Sequence, residues 1–205
     1  EGSLRDKIQA FAGKVGFKLD NIYVIDGSKR STKANAYFTG LGPKKRVVLY
    51  DTLIDDLTEE EIVAVLAHEI GHYKKRHTLQ SMGLSIVQTG IILWLFSLCV
   101  DNAALSGALG GDKAYFQLGL MAFAILYSPV NLILGIGMNV WSRKNEYEAD
   151  AFAGTHYEGE YLVSGLKKIS VKSLSNLTPH PLYEYIHYSH PSLLKRIKAI
   201  KRIHE

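Results

Sequence analysis

The chain has 205 residues, a formal net charge of +4 and a single cysteine, Cys99. One cysteine excludes an intramolecular disulfide and a cysteine-rich zinc site. The basic stretch at 28–33 has no interleaved aromatic residues, so we predict a solvated surface there and no nucleic-acid partner. Glu1 stands where a start methionine would, which we expect of a fragment or a processed product.

The first 77 residues have the pattern of a soluble α/β segment. We predict a helix over residues 4–15 and strands over 22–25 and 47–50. A third strand is predicted at 35–39, paired with 47–50 across a turn at 40–43 that holds two glycines and a proline. These elements indicate a small β-sheet beside helices.

A well-capped helix is predicted to begin after Thr58. Thr58 and Glu61 form a capping-box pattern, and apolar residues follow at helical spacing. Gly71 costs such a helix about 1 kcal/mol relative to alanine. A glycine at this position therefore suggests that something approaches the helix backbone closely.

This helix carries the HExxH pattern at residues 68–72. His68 and His72 are four residues apart and project from one helix face, a spacing that lets both imidazoles bind one zinc ion. Glu69, offset around the helix, can reach a water molecule at the metal and accept its proton. The alternative is a solvated or core helix with two incidental histidines.

Two uncharged apolar stretches, at 78–100 and 114–142, are each long enough to span a bilayer. We predict a transmembrane helical hairpin, with Pro129 kinking or interrupting the second helix. Cys99 falls in the first stretch, where we expect a small apolar packing residue. The alternative is a buried helical hairpin in a soluble protein.

Basic residues at both ends of the hairpin predict its orientation. Residues 74–76 precede the first stretch and Arg143 and Lys144 follow the second. By the positive-inside rule these ends face the cytoplasm. The prediction is a multi-pass integral membrane protein of the bacterial inner membrane or endoplasmic reticulum, with its metal motif facing the cytoplasm or a chamber open to it.

A catalytic zinc needs a third protein ligand and one open position. The acidic residues just after the second apolar stretch are the best candidates. In a helix, Glu146 and Asp150 share one face while Glu148 points elsewhere. This favours Glu146 as the ligand over Glu148, with Asp150 accepting a hydrogen bond from a ligand histidine. The alternative is that these acids only stabilise a helix N-terminus.

The chain resembles the integral-membrane CAAX prenyl protease 1 family of zinc endopeptidases. The motifs that carry this resemblance are residues 68–72, 142–150 and 188–197, and the segments 35–38 and 48–53 also match. The resemblance implies an α+β zincin-like metallopeptidase domain, mostly helical with a small β-sheet and interrupted by the two-helix transmembrane hairpin. The domain would comprise residues 1–77 and 143–205, with 78–142 between them.

The resemblance also implies roles at the catalytic centre. One zinc ion would be bound by His68, His72 and Glu146, and Glu69 would be the general base. His190 would hydrogen-bond the scissile carbonyl or the developing oxyanion. From its position before Pro191 alone, His190 would instead be a residue at the start of a helix.

Further roles implied by the resemblance concern support and substrate binding. Asp150 would orient a ligand histidine, and Arg196 would lie near the site, although its apolar neighbours also fit a solvated position beside a packing stripe. An edge strand would pair with extended substrate; it comprises Asn35, Ala36, Tyr37 and Phe38.

The expected activity is hydrolysis of peptide bonds by zinc-activated water in CAAX-type, prenylated or membrane-associated protein substrates. Members of this family carry further transmembrane helices upstream, so we expect those helices and the lipid bilayer as partners. Three alternatives remain open: a general membrane-protein quality-control protease, a catalytically silent zinc-stabilised scaffold, and a membrane binding or transport module with a structural zinc.

Overall fold

A computed structural model describes residues 2–29, 35–39 and 45–203. These residues form three strands and nine helices. In chain order they are α1 (Ser3–Lys14), β1 (Leu19–Ile25), β2 (Ala36–Thr39), β3 (Lys45–Tyr50), α2 (Asp51–Asp56), α3 (Glu59–Lys74), α4 (His77–Val100), α5 (Ala103–Ala108), α6 (Phe116–His156), α7 (Gly159–Lys172), α8 (Pro181–His187) and α9 (Leu193–Lys201).

The small sheet has the strand order β1-β3-β2. β1 runs parallel to β3 with Ile22 opposite Val47, and β2 runs antiparallel to β3 with Phe38 opposite Val47. The predicted strands and the pairing of 35–39 with 47–50 are therefore confirmed. The predicted turn at 40–43 and residues 30–33 of the basic loop lie outside the described residues.

Helix α3 lies in the centre of the core. Its residues Ile62, Leu66 and Ile70 are buried in one cluster with residues of α1, β3 and α7. The predicted capping box is present: the Thr58 hydroxyl accepts from the Glu61 backbone N–H at 3.3 Å, and the Glu61 carboxylate accepts from the Thr58 N–H at 2.8 Å. The cap and the core together fix both the start and the rotation of the metal-motif helix.

Helices α4 and α6 form the predicted hairpin. Both are long and apolar enough to cross a membrane, and only 6% and 11% of their most apolar windows are buried within the protein. The helices meet at Gly119, where an added Cβ would lie 2.7 Å from the Cys99 carbonyl oxygen. Cys99 itself is buried and unpaired, as expected of a packing residue.

The second helix of the hairpin continues far past its apolar part. α6 runs from Phe116 to His156 through Pro129, so the predicted interruption at Pro129 is wrong. The same helix crosses residue 142 and carries the acidic residues that follow. These acids therefore lie within a helix and not at its N-terminus, which removes that alternative explanation for them.

Helix α6 crosses α3 at Gly71. A Cβ at this position would lie 3.1 Å from both the Cα and the carbonyl oxygen of Ala149 and 3.1 Å from the Cβ of Phe152. The predicted close approach to Gly71 is confirmed, and the approaching segment is the backbone of α6. This contact brings the acidic segment of α6 over the histidines of α3.

Candidate metal centre

Three predicted ligands meet where α3 and α6 cross. The Nε2 atoms of His68 and His72 lie 3.1 Å apart. The Glu146 carboxylate lies 3.2 Å from His72 Nε2 and 3.6 Å from His68 Nε2. In the described part of the chain, these three residues form a group that could hold a metal ion, because their donor atoms all lie within 4.8 Å of one another.

The spacing of these donors fits a zinc ion. Zinc binds histidine nitrogen and carboxylate oxygen at about 2.0–2.2 Å, so neighbouring donors of a tetrahedral site lie about 3.3–3.6 Å apart. The observed separations of 3.1–3.6 Å bracket that value. Two nitrogens and one oxygen also match the donor set of catalytic zinc sites, which leave a fourth position open.

Asp150 and Arg196 hold His68 through the ring nitrogen that faces away from the other two ligands. Asp150 is 1% exposed, and its Oδ1 accepts from His68 Nδ1 at 2.9 Å. The Arg196 guanidinium donates to both Asp150 oxygens at 2.8 and 2.6 Å. In the neutral imidazole, a proton on Nδ1 that is donated to Asp150 leaves Nε2 unprotonated and free to bind metal.

Arg196 therefore lies beside the site, as the resemblance suggested, and not in a solvated position. Its Nη1 is 3.5 Å from the Glu146 carboxylate, so one guanidinium contacts both acidic residues. The sequence indicated this role only weakly. Residues 193, 197 and 200 have the apolar spacing of a helix that packs on the core, and Arg196 could equally have been a solvated residue beside that stripe.

His77 is a member of the site that the sequence pattern did not reveal. Its Nδ1 lies 3.0 Å from His72 Nδ1, and its Nε2 lies 3.3 Å from the Glu148 carboxylate. Glu148, the weaker candidate for third ligand, thus contacts His77 and not the metal-ligating atoms. A histidine five residues after His72 would face away from it in a continuous helix, so the pattern offered no signal.

Glu69 and His190 line the same cavity, which has a volume of about 660 Å³. Burial raises the pKa of the Glu69 carboxyl above its ordinary value, outweighing the opposite effect of the neighbouring imidazoles. His190 Nδ1 lies 3.1 Å from the Glu146 carboxylate. This hydrogen bond raises the pKa of the His190 imidazole above its ordinary value.

The predicted substrate strand is only partly at the cavity. Asn35 and Ala36 line it, whereas the Phe38 ring packs on Phe17 at a centroid distance of 4.9 Å. Tyr37 is 37% exposed. In the described part of the chain, β2 is an edge strand that pairs on one side with β3, so its outer main-chain groups have no strand partner there.

The chain is similar to known proteins along almost its whole length. Residues 1–204 match Peptidase family M48. The chain is 42% identical to "CAAX prenyl protease 1 homolog" of Dictyostelium discoideum over 98% of its length and 48% of that protein. It is 38% identical to "CAAX prenyl protease 1" of Saccharomyces cerevisiae over 100% of its length and 49% of that protein.

A solved structure is also similar. The crystal structure of S. mikatae Ste24p superposes with a TM-score of 0.87 at 38% identity, covering 98% of this chain and 50% of that one. The chain thus spans about half the length of these relatives. The match along almost the whole chain shows that it belongs to peptidase family M48.

Proposed function

We propose that this chain carries the catalytic centre of a membrane zinc endopeptidase. The observation that supports this most directly is the convergence of His68, His72 and Glu146 beside Glu69 in one open cavity. Three protein donors with an open fourth position are typical of catalytic zinc, whereas a structural site is closed by four. The proposed ligands are therefore these three residues.

A zinc ion held there would act as a Lewis acid and would lower the pKa of a water molecule to about 7. Glu69 accepts the proton of the attacking water and later delivers it to the leaving amine nitrogen. Its raised pKa suits the first of these two steps, because a carboxylate with a higher pKa is a stronger base.

His190 is proposed to stabilise the developing negative charge on the scissile carbonyl oxygen. It follows α8 and precedes α9, and its side chain is 64% exposed toward the cavity. The raised pKa keeps more of the imidazole protonated near neutral pH, which supplies a charged hydrogen-bond donor. Removing one such donor typically costs about 3–4 kcal/mol of transition-state stabilisation.

An extended peptide is the proposed substrate. The free edge of β2 begins at the cavity with Ala36, directly after Asn35, and strand addition there uses main-chain hydrogen bonds, which tolerate many sequences. Because relatives at 38–42% identity are named CAAX prenyl protease 1, we propose that the substrates are the C-terminal CAAX segments of prenylated proteins. The upstream helices expected from the resemblance would complete their enclosure.

The apolar surfaces of α4 and α6 support placement in a membrane. Large apolar side chains such as Ile86, Trp94 and Ile133 are more than 60% exposed. A bilayer is the medium in which such a surface is stable. With basic residues at both ends of the hairpin, we propose that the metal centre faces the cytoplasm or a chamber open to it.

Replacement of Glu69 by glutamine tests the proposed chemistry. Glu69→Gln keeps the size of the side chain but removes the proton acceptor, so we expect zinc to stay bound while cleavage of a prenylated CAAX peptide falls at least 100-fold. A matched control is Glu60→Gln, at the half-buried start of the same helix, where Glu60 pairs with Lys7. Retained turnover in Glu69→Gln would exclude Glu69 as the general base.

A further inference from the structure

We propose that His77 and Glu148 are positioning residues that hold His72 in the orientation and tautomer needed for binding zinc. This inference rests on the proposed metal site and assigns a task to two residues that do not contact the metal. It also gives the two histidine ligands separate supports, since His68 is held by Asp150.

The break between α3 and α4 brings His77 to His72. α3 ends at Lys74, and Arg76 adopts a left-handed conformation with φ 58° and ψ 31° before α4 begins at His77. A non-glycine residue in this region is strained by about 1–2 kcal/mol. The turn places the two rings at a centroid distance of 5.0 Å in an edge-to-face arrangement.

The proton positions follow from the contacts. If Nε2 of His72 binds zinc, the neutral ring keeps its proton on Nδ1. That proton faces His77 Nδ1 at 3.0 Å, so His77 accepts there and must keep its own proton on Nε2. His77 Nε2 then donates to the Glu148 carboxylate at 3.3 Å. Each imidazole nitrogen in this series of hydrogen bonds is thus either a donor or an acceptor, without conflict.

The burial of His77 makes its hydrogen bond to His72 difficult to replace. The His77 side chain is 4% exposed, so few water molecules can replace it as the acceptor for His72. Glu148 is 37% exposed, and water can substitute for part of its effect. We therefore expect His77 to matter more than Glu148. Loss of an outer partner of a metal-binding histidine typically weakens metal binding about 10–100-fold.

Two substitutions of His77 separate positioning from packing. His77→Phe keeps the ring but removes the acceptor, whereas His77→Asn loses the ring but keeps a side-chain oxygen near the place of Nδ1. Zinc affinity is measured for the detergent-purified protein by competition with a chelator at one fixed pH. Lys144→Ala is the control: Lys144 is exposed and lies 3.8 Å from Oε1 of Glu148, whereas His77 faces Oε2, so loss of Lys144 should leave zinc affinity unchanged.

The expected result is that His77→Phe weakens zinc binding about 10–100-fold, that His77→Asn stays within a few-fold of the parent, and that Glu148→Ala falls between them. Equal affinity of His77→Phe and the parent would overturn the inference. The inference would also be overturned if His77→Asn bound zinc as weakly as His77→Phe, because restoring the acceptor would then restore nothing. Should His77→Phe not fold, an unchanged affinity in Glu148→Ala overturns it instead.

The same measurement separates this inference from the proposed function. A parent protein that binds no zinc contradicts the metal site itself. A parent that binds one zinc, together with His77 variants that bind it unchanged, contradicts only the role of His77 and Glu148.

Discussion

Replacing Gly71 by alanine tests how the crossing of α3 and α6 builds the metal centre. The added Cβ would lie 3.1 Å from the Ala149 backbone, and ordinary contact begins at 3.4 Å. The helices must therefore separate by about 0.3 Å or more. Ala149 lies between Glu146 and Asp150 in α6, so both carboxylates move with it. Zinc ligand distances tolerate only about 0.2 Å.

The expected result is a measurable loss of zinc affinity together with a small loss of stability. Alanine gains about 1 kcal/mol of helix propensity over glycine, which offsets part of an overpacking cost of about 1–3 kcal/mol. The net fall in the free energy of unfolding is thus about 0–2 kcal/mol. Zinc affinity should fall about tenfold or more, because the Glu146 oxygens leave their positions near the two imidazoles.

The assay compares chelator competition with thermal unfolding for Gly71→Ala and for Gly13→Ala. Gly13 lies in α1, and a Cβ there meets nothing within 4 Å. Gly13→Ala should be neutral or stabilising and leave zinc affinity unchanged. Zinc affinity in Gly71→Ala equal to that of the parent would refute the argument that this backbone contact sets the ligand geometry.

Three further predictions concern other parts of the fold. Asp150→Asn should weaken zinc binding about 10–100-fold in chelator competition, because a ligand histidine loses its carboxylate partner. Burial acts to raise the pKa of the Glu61 carboxyl, but hydrogen bonding from Lys168 outweighs it and holds this pKa below its ordinary 4.5. The ionised Glu61 carboxylate therefore stabilises the fold above pH 4.5, and this stabilisation is lost as the pH falls further. Acidification should lower the unfolding temperature less in Glu61→Gln than in the parent. Gly119→Ala should lower the unfolding temperature in detergent, since its Cβ meets backbone at 2.7 Å, whereas Gly135→Ala meets nothing within 4 Å and should not.

Patterns with a short repeat were predictable from the sequence. The capping box at Thr58 and the apolar spacing that follows predicted α3, and short runs of β-branched, aromatic and other apolar residues predicted the strands. Gly71 signalled a close approach because a glycine in a helix interior needs a reason. The spacing of Glu146 and Asp150 correctly put both on one helix face, and the structure brings that face to the histidines.

Features that depend on one specific tertiary contact were not predictable. A proline in a helix interior often ends the helix, yet α6 continues through Pro129. His77 reaches His72 only because Arg76 adopts a left-handed conformation, and no local pattern marks a non-glycine residue for that. Arg196 meets Asp150 across 46 residues of sequence, so its role required the packing of α9 on α6.

The central claim is that His68, His72 and Glu146 together bind one catalytic zinc ion. Metal analysis of the detergent-purified protein, with Glu146→Ala and Glu148→Ala alongside, tests it most directly. The account predicts about one zinc per chain in the parent and in Glu148→Ala, and most of the zinc lost in Glu146→Ala. Zinc retained in Glu146→Ala, or lost in Glu148→Ala instead, would contradict it.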